Sequence, residues 1–408
     1  MRILHTSDWH LGKTLEGYSR ISEQKKFISE LIQTIQRERI DLVLISGDIY
    51  DSSNPPAEAE KLFYKAMTAI SEKGKRPIVV TAGECDNSER LGAISSFALE
   101  NGIIIMGNLD SVESIQKVTF EHFAVKNSGI GFVEIEINGE SVVVASTGYP
   151  SEPRLNEFIY RELHGNNIKT DYKTKLKDVV DKLSVNFRDD TINILMGHFY
   201  FAGGIMEDSE RNISLGDAFA VDSEIIPQNV HYVAMGHLHR PQRVAKAPVK
   251  HAYYAGSPIP YGRSEINHPK CVLVFDVNYN NEGLINRVML TNYKPIEVWN
   301  VDGYTSAVRF CEEHKDRDCY VYLEIRTIRY LRPDEIKELK SIKKDIVEVI
   351  PVITKNQKEE TEESTEKFIE EDFQDFYYSM TLRDASEEQI QIFLSVLNET
   401  EESNDEED

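Results

Sequence analysis

The N-terminus reads ILHTSDWHLG at residues 3–12, a short apolar run that leads to Asp8 and His10 and closes at Gly12. Two residues apart, a carboxylate and an imidazole can point into the same space beyond a strand end, which is where α/β sheets place their ligand sites. Together they make a mixed oxygen and nitrogen half-site for a metal. Because this spacing also occurs by chance, the argument for a metal site depends on further strand ends of the same kind.

Four later segments repeat the arrangement of an apolar run that ends in polar side chains. Each has a glycine directly before the first polar residue, which permits a sharp turn and a close approach of the backbone. They are Gly47-Asp48, Gly83-Glu84-Cys85-Asp86, Gly197-His198 and Gly236-His237-Leu238-His239. Apolar residues at helical spacing separate the first of these runs, and the alternation of strands and helices predicts an α/β domain.

These polar side chains are more numerous than one cation needs. One divalent cation takes about four to six ligands, so the set predicts two metal ions that share a bridging carboxylate, and Asp48 stands alone in its loop as the natural bridge. Two such cations can clamp a phosphoryl group and activate a water. Mixed carboxylate and imidazole ligands suit Mn²⁺ or Fe²⁺, with Zn²⁺ or Co²⁺ as alternatives. The simpler alternative, an ordinary core or loop histidine, explains any single position better than it explains the whole set.

The series D-x-H, G-D, G-E-C-D, G-H and G-H-x-H resembles the calcineurin-like metallophosphoesterase family. Finer motifs resemble the SbcD group of nuclease subunits, and the likeness extends over essentially the whole chain. These motifs are SDWHLG at 7–12, GDIYDS at 47–52, GHLH at 236–239 and YAGS at 254–257. The resemblance implies an α/β fold, a two-sheet sandwich flanked by helices, with a small α+β capping domain and C-terminal helices that bind a partner.

The resemblance also implies a cofactor, two divalent metal ions, for which Mn²⁺ is the first choice. One ion would be held by Asp8, His10, Asp48 and His239. The other would be held by Asp48, Glu84, His198 and His237.

The third motif departs from the family pattern, which reads G-N-H-D where this chain has Gly83-Glu84-Cys85-Asp86. Glu84 still offers a ligand oxygen but adds a negative charge. Cys85 replaces the histidine that, by the resemblance, contacts the scissile phosphate or protonates the leaving group, and a thiol is a weaker donor. Asp86 would orient residue 85. Loss of a general acid costs on the order of 10²–10⁴ in rate. Three explanations stay open: the chain is impaired, another residue substitutes, or Cys85 is itself a soft ligand that favours Zn²⁺.

Sequence pattern divides the chain into five parts. Residues 1–290 form the predicted metallophosphoesterase domain, and residues 291–352 follow an order of strand, helix, strand, helix and strand that predicts the capping domain. Residues 353–366 have the composition of a linker. Residues 367–398 hold two amphipathic helices, the second with a capping box at Ser386–Gln389. Residues 399–408 are an acidic tail, predicted to be disordered.

Overall composition excludes few classes of protein. The net charge of −23 is concentrated after residue 355, so bulk charge neither supports nor excludes DNA as a substrate. The four cysteines are scattered without paired spacing, so neither a disulfide framework nor a zinc knuckle is indicated. The sequence has no run long and apolar enough for a membrane span, and its N-terminus lacks the apolar segment of a secretion signal. We expect a cytoplasmic protein.

Three surfaces are predicted to bind partners. Arg240, Arg243 and Lys246 follow the last ligand and are assigned to DNA phosphates, although a solvated hairpin face explains them equally well. The helix after Pro55-Pro56 resembles the element through which the family forms its homodimer, although packing against its own sheet explains its apolar spacing at least as well. The two terminal helices are too short to be stable alone, and by resemblance they bind an SbcC-like ATPase within a heterotetramer. Their apolar residues are Ile369, Phe373, Phe376, Ile390, Phe393, Leu394 and Leu397.

The resemblance implies an SbcD-like DNA nuclease subunit that hydrolyses phosphodiesters by metal-assisted attack of water. It would act as a double-strand exonuclease and single-strand endonuclease, with the ATPase, on DNA breaks and hairpins. Two alternatives stay open. One is a catalytically silent scaffold that binds DNA ends, which Glu84 and Cys85 would explain. The other is a metallophosphodiesterase of a substrate other than DNA.

Overall fold

The computed structural model describes residues 1–107, 109, 115–162, 171–210 and 220–354, together with residues 373, 374, 376, 377, 385, 386, 389, 390, 392 and 393. The chain divides into two units, one formed by Met1–Ile325 with Leu331–Pro351 and the other by Arg326–Tyr330 with Val352–Asp408. All the predicted metal ligands belong to the first unit.

Strands and helices alternate along most of the described chain. The strands are β1 (Arg2–Thr6), β2 (Thr14–Leu15), β3 (Tyr18–Ser19), β4 (Leu42–Ser46), β5 (Ile78–Thr81), β6 (Ile103–Met106), β7 (Val118–Thr119), β8 (Phe123–Gly129), β9 (Phe132–Ile137), β10 (Glu140–Ser146), β11 (Ile192–His198), β12 (Tyr232–Gly236), β13 (Gln242–Arg243), β14 (Ala252–Tyr254), β15 (Cys271–Asn278), β16 (Asn281–Glu282), β17 (Asn286–Met289), β18 (Ile296–Asp302), β19 (Tyr320–Thr327) and β20 (Ile346–Ile353). The helices are α1 (Ile21–Arg37), α2 (Ala57–Ser71), α3 (Ser88–Gly92), α4 (Ser95–Leu99), α5 (Glu152–Glu162), α6 (Tyr172–Ser184), α7 (Tyr304–Glu313) and α8 (Pro333–Ile342), with 3₁₀ turns at Ser223–Ile225 and Arg263–Asn267.

Two large sheets contain most of these strands. The first has the order β16-β15-β1-β4-β5-β6, with β17 also paired to β15, and its strands β1, β4, β5 and β6 are parallel. The second has the order β13-β14-β12-β11-β10-β9-β8-β7, with a parallel centre from β14 to β10 and antiparallel strands from β10 to β7. Parallel strands are covered on both faces, which explains why Leu42–Ser46 is buried throughout.

The two sheets face each other across one apolar core and carry helices on their outer faces. Leu44 of β4 and Val144 of β10 belong to the core between the sheets. Phe27 of α1 packs in the outer core of the first sheet, and Leu176 of α6 packs in that of the second. The predicted two-sheet α/β sandwich flanked by helices is therefore confirmed.

Most predicted elements are found within a few residues of their expected bounds. The two-residue hairpin at Asn138-Gly139 has φ values of 51° and 83°, the left-handed pair that such a tight turn requires. Helix α5 is not among the sequence predictions. Its buried residues Leu155, Phe158 and Ile159 have helical spacing, and that spacing is the signal that could have identified it.

The strands β18, β19 and β20 form a third sheet with α7 and α8, in the order predicted for residues 291–352. This module has a core of its own, which includes Trp299 and Leu323. A smaller cluster, in which Leu15 of β2 meets Tyr320 of β19, packs it against the sandwich.

Arg20 strengthens this contact as a fully buried charge. Its guanidinium donates two hydrogen bonds to the Glu23 carboxylate, at 2.8 and 2.6 Å, and one to the Pro260 carbonyl at 2.8 Å. It also lies 5.0 Å from the ring centre of Tyr320. A buried charge is tolerated only with partners of this kind, so Arg20 ties the capping module to the sandwich.

The second unit contains the described parts of the predicted C-terminal helices. The rings of Phe373 and Phe393 stack with their centres 4.2 Å apart. The predicted capping box is present, since the Ser386 N–H donates to Gln389 Oε1 at 3.0 Å and the Gln389 N–H donates to Ser386 Oγ at 3.3 Å. Outside the described residues lie Ile369, Leu394, Leu397, residues 355–366 of the linker and the tail 399–408.

The two other apolar residues predicted for these helices are described and differ in exposure. Phe376 is exposed, whereas Ile390 is buried.

Candidate metal centre

The predicted ligands meet at one edge of the sandwich, where strands of both sheets end. The first sheet supplies Asp8, His10, Asp48 and Glu84 from the ends of β1, β4 and β5, and the second supplies His198, His237 and His239 from β11 and β12. Their ligand atoms fall into overlapping clusters whose members all lie within 4.8 Å of one another. The structure therefore brings all seven side chains together.

The glycines before the ligands are required because the strand ends approach so closely. A Cβ atom at Gly236 would lie 1.8 Å from the Ser46 carbonyl oxygen, and one at Gly83 would lie 2.1 Å from Asp48 Oδ1. No side chain fits at such distances. The close backbone approach inferred from the repeated glycines is confirmed at these two positions.

The first cluster contains Asp8, His10 and His239. His10 Nε2 lies 3.0 Å from His239 Nε2 and 3.5 Å from Asp48 Oδ2. The carboxylate of Asp8 is oriented by the backbone N–H of His237, which donates to Asp8 Oδ1 at 2.9 Å. These contacts direct two imidazoles and two carboxylates into one buried space.

The second cluster contains Glu84, His198 and His237. Glu84 Oε2 lies 2.5 Å from His198 Nε2, and Glu84 Oε1 lies 2.8 Å from His237 Nδ1. Asp48 Oδ1 is 3.5 Å from His198 Nε2, while Asp48 Oδ2 faces His10 of the first cluster. One carboxylate therefore directs one oxygen to each cluster, as a bridging ligand must.

The charges of the second cluster compensate one another. Burial alone would raise the pKa of Glu84 and lower that of His198. His237 and His198 nevertheless hold the pKa of Glu84 well below its usual range, and Glu84 with Asp48 holds the pKa of His198 well above its own. A divalent cation supplies the same positive charge and takes the imidazole lone pairs, so protons and metal compete for this cluster.

The donor atoms suit divalent cations. His198 Nε2, His237 Nε2 and Glu84 Oε2 are buried and make no hydrogen bond of normal geometry within the described part of the chain. Buried polar atoms of this kind are rare in folded proteins, whereas converging nitrogen and carboxylate atoms are the ligands of first-row divalent metals. The residues present therefore fit the two metal ions that the motif series implies.

Further hydrogen bonds orient two of the imidazoles. His198 Nδ1 lies 2.8 Å from the Ser46 carbonyl oxygen, which fixes that nitrogen as the donor and leaves Nε2 for a metal. His239 Nδ1 lies 2.7 Å from Ser209 Oγ and 3.2 Å from Glu265 Oε1. Each ring is thereby held with one nitrogen directed into the centre.

The sequence patterns do not identify the residues that support His239. Lys270 forms a buried ion pair with Glu265, and burial raises the pKa of Glu210, which accepts from the His239 N–H at 2.5 Å, to about 8. The one signal is the YAGS motif, whose Ser257 donates to Glu265 at 3.1 Å.

Four of the ligands have a left-handed backbone. The φ values are 53° at Asp8, 43° at His10, 48° at Asp48 and 101° at His237. This region is uncommon for residues other than glycine, although aspartate and histidine occur there more often than most. Strained positions of this kind gather at functional sites and persist because the surrounding loops hold them.

Asp86 links the loop after β5, which contains residues 83–86 and is called the third loop, to the loop after β4. Its carboxylate accepts hydrogen bonds from the backbone N–H groups of Ile49 at 3.1 Å, Tyr50 at 3.0 Å and Gly83 at 2.9 Å. Burial and the charge of Asp48 raise the pKa of Asp86 to about 6, against the lowering effect of these hydrogen bonds. Asp86 thus positions two ligand-bearing loops through their backbones.

Cys85 lies inside the centre. Its side chain is buried, and its sulfur forms a cluster with ligand atoms of His10 and Asp48 in which all distances are within 4.8 Å. Its backbone N–H donates to Asp48 Oδ1 at 2.9 Å. Position 85 therefore faces the first cluster and the bridging carboxylate.

The predicted DNA-binding residues lie on the hairpin that follows His239. Arg240 is half-buried, whereas Arg243 and Lys246 are exposed. The Arg243 guanidinium donates to the Val249 carbonyl at 3.1 Å. Arg240 directly follows the ligand His239 in the chain, and the role of all three residues stays a prediction.

A cavity of about 500 Å³ lies beside the third loop. Its lining includes Asp86, Ser88, Arg154 and Arg161.

Among the described residues, no helix is long and apolar enough to cross a membrane.

Comparison with known proteins gives matches over most of the chain. The family model of the calcineurin-like phosphoesterases matches residues 1–241, and one described as the type 5 capsule protein repressor C-terminal domain matches residues 292–381. The chain is 40% identical over 337 residues to the SbcD subunit of the SbcCD nuclease of Bacillus subtilis (strain 168), a match that covers 82% of each chain.

The SbcD subunits of two other bacteria also match. The one from Staphylococcus epidermidis is 28% identical over 83% of this chain and 82% of its own length. The one from Rhodobacter capsulatus is 30% identical over 68% of this chain and 66% of its own. The chain therefore belongs to the calcineurin-like phosphoesterases and, within them, to the SbcD family of nuclease subunits.

Proposed function

We propose that this chain is a metal-dependent DNA nuclease subunit that acts with an SbcC-like ATPase in the processing of DNA breaks and hairpins. The observation that carries the proposal is the Asp48 carboxylate, whose two oxygens face His198 and His10 at 3.5 Å each. A carboxylate shared in this way is the central element of a two-metal phosphodiesterase site. The names of the relatives supply a nuclease and an SbcCD complex; DNA as the substrate and an ATPase as the partner are part of the proposal.

In this proposal the centre holds two divalent metal ions, and Mn²⁺ is the ion that the resemblance to the family implies. The ligands are Asp8, His10, Asp48 and His239 for one ion, and Asp48, Glu84, His198 and His237 for the other. When bound, such a pair supplies an activated water and stabilises the charge that develops on the phosphate. The chain itself sets the geometry, since the Ser46 carbonyl orients His198 and the Glu265 carboxylate orients His239.

Glu84 and Cys85 are proposed to lower the rate of cleavage. Glu84 adds a negative charge where a phosphate must approach, and Cys85 offers no cationic donor. The second candidate function, a silent scaffold that binds DNA ends, is favoured by the same two residues. Hydrolysis of a substrate other than DNA is a third candidate, and a generic aryl phosphodiester tests it directly.

The deciding experiment is cleavage of labelled double-stranded and single-stranded DNA with Mn²⁺, with the wild type beside a Glu84→Asn/Cys85→His variant. We expect the double variant to cut faster by on the order of 10²–10⁴, and Asp48→Asn to abolish cutting in either background. Cutting by the double variant alone would identify the wild type as a disabled, DNA-binding nuclease. No cutting by either protein, with the ATPase partner present, would refute the nuclease assignment.

Arg240 and Arg243 are proposed to hold DNA phosphates beside the centre. Replacing both with alanine should weaken DNA binding and reduce its dependence on salt, since each phosphate contact releases counterions. Alanine variants of Lys177 and Lys182, exposed on the outer helix α6, are the matched control. Unchanged affinity and salt dependence in the arginine variant would remove this assignment.

The terminal helices are proposed to bind the ATPase. Phe376 is 63% exposed, and Phe373 and Phe393 stack on each other, so this segment presents apolar surface of the kind that binds a partner. A chain truncated after residue 354 should no longer bind the ATPase in a pull-down assay. A complex that survives the truncation would contradict this role.

A homodimer, as half of a heterotetramer, is part of the same proposal. An apolar groove of about 220 Å³ is lined by Phe63, Tyr64, Met67 and Phe97, of which Tyr64 is 42% and Phe97 72% exposed. Clustered exposed aromatic residues mark interaction surfaces. Phe97→Glu should shift the protein from dimer to monomer in sedimentation velocity. Tyr160→Glu, a change at a similarly exposed ring of α5, should not.

The division into a nuclease domain at 1–290, a capping domain at 291–352 and partner-binding helices at 367–398 completes the proposal. It is supported by the separate core of the capping module and by a second family match that begins at residue 292. A cytoplasmic location is proposed because the substrate is DNA.

A further inference from the structure

The sulfur of Cys85 has two metal-binding side chains as neighbours. Ligand atoms of Cys85, His10 and Asp48 all lie within 4.8 Å of one another, and the three side chains are 3%, 3% and 2% exposed. Donor atoms around one tetrahedral Zn²⁺ are about 3.5 Å apart, given bonds of about 2.3 Å to sulfur and 2.0 Å to nitrogen. Side-chain shifts of about 1 Å therefore suffice to place the three donors around one cation.

A second observation at His10 also indicates a ligand here. His10 Nδ1 is buried and has no hydrogen-bond partner within the described residues, and its distance of 3.5 Å from Asp51 Oδ1 is too long for a normal hydrogen bond. The other ring nitrogen, Nε2, lies 3.0 Å from His239 Nε2 and 3.5 Å from Asp48 Oδ2. His10 therefore directs Nε2 to the bridging carboxylate, as a metal-binding imidazole would.

The backbone holds the sulfur in this place. The Cys85 N–H donates to Asp48 Oδ1 at 2.9 Å, and the neighbouring Asp86 carboxylate binds three backbone N–H groups of the two loops. A loop fastened on both sides of residue 85 holds the Cβ of Cys85 beside the cluster, so that only rotation about the Cα–Cβ bond can move the sulfur. The sulfur is buried and directed toward His10 and Asp48.

We propose that Cys85 is a metal ligand, whose thiolate joins His10 and Asp48 around one cation and makes this centre select a thiophilic divalent ion such as Zn²⁺, Co²⁺ or Cd²⁺ over Mn²⁺. On binding, the metal–sulfur bond forms as the S–H bond breaks, and the proton passes to the solvent. Soft thiolate ligands favour Zn²⁺ and its congeners, whereas carboxylate sites favour Mn²⁺. The inference rests on the metal centre of the proposed function, and it assigns to residue 85 a role in metal choice.

The inference is tested by titrating the full-length, metal-free protein with Co²⁺ and recording its absorption spectrum. Sulfur ligation gives a charge-transfer band in the near ultraviolet, whereas ligand-field bands in the visible report Co²⁺ binding of any kind. We expect both in the wild type, loss of the charge-transfer band in Cys85→Ser, and retention of it in Cys271→Ser. Cys271, another buried cysteine, lies in β15 away from the clusters, so it is the matched control.

The preference for Zn²⁺ over Mn²⁺, measured by competition calorimetry, should fall at least about tenfold in Cys85→Ser. Ligand-field bands without a charge-transfer band in the wild type would overturn the inference and leave the metal centre intact. A band that survives in Cys85→Ser would also overturn it. Absence of every cobalt band would refute the metal centre itself. Cadmium NMR of the Cd²⁺-loaded wild type decides the question without a variant, since sulfur ligation shifts the cadmium resonance far from its position with nitrogen and oxygen ligands.

Discussion

Replacing Asp86 with alanine should destabilise the metal-free protein strongly. Three backbone N–H groups donate to this carboxylate at 2.9 to 3.1 Å, and the side chain is 5% exposed. A buried donor left without a partner costs about 1–3 kcal/mol. Three such donors give a loss of at least about 3 kcal/mol in the free energy of unfolding, even if water enters the space and satisfies them in part. We expect a lower urea midpoint, from which linear extrapolation gives a loss of free energy of that size.

Two further variants separate this explanation from a general effect of mutation. Asp86→Asn keeps one acceptor oxygen, so its loss of stability should fall between those of the wild type and the alanine variant. Asp171→Ala removes an exposed carboxylate that caps α6 and accepts from a single backbone N–H, that of Thr174, so it should cost much less than Asp86→Ala.

Urea unfolding followed by tryptophan fluorescence is a suitable assay for these variants. Trp9 is fully buried and its ring packs edge-on against Phe27, which places one reporter in the loop that carries Asp8 and His10. A chelator in every sample removes metal ions, which would otherwise add their own stabilisation. If Asp86→Ala unfolds within experimental error of Asp171→Ala, the reasoning about unsatisfied backbone donors is wrong.

Three other predictions concern the frame of the centre and its ions. Gly236→Ala places a Cβ 1.8 Å from a carbonyl oxygen and should cost about 3 kcal/mol or more; Gly92→Ala, with no atom within 4 Å, should leave the denaturation midpoint nearly unchanged. Arg20→Met leaves the Glu23 carboxylate buried without its cationic partner and should lower the free energy of unfolding by about 3–5 kcal/mol, which calorimetry would measure. An effect below about 1 kcal/mol would contradict the buried pairing. Divalent metal at about 100 times its dissociation constant should stabilise the wild type by about 2.7 kcal/mol. The melting temperature should rise, a chelator should reverse the rise, and Asp48→Asn should largely abolish it. Equal stabilisation of the Asp48→Asn variant would argue against a shared ligand.

The sequence predicts the ligands well because their positions follow from local chain geometry. Each lies directly after a buried strand, and the carboxyl ends of β1, β4, β5, β11 and β12 meet at one edge of the sandwich. Three of the loops also show the need for glycine, since Gly47, Gly83 and Gly236 approach neighbouring strand ends too closely for a side chain. A repeated local pattern of this kind can be recognised without knowing the fold.

The residues that support the ligands could not be predicted because their partners come from distant parts of the chain. Glu265 lies in a 3₁₀ turn with no apolar period, and only the folded chain brings it to His239 and Lys270. In sequence, Arg20 is an ordinary charged residue before a helix, yet it is fully buried against Tyr320. Buried ion pairs of this kind depend on tertiary contacts that no local spacing reveals.

The two sheets contribute unequal shares of one centre, with both aspartates, Glu84 and His10 on the first and three histidines on the second. Neither sheet has enough donors to hold two cations when the other is absent. The complete two-metal centre therefore forms only after the sandwich has closed, and a chain still emerging from the ribosome or damaged in either half has no assembled centre. Both metal ions can thus be held together only by the fully folded chain.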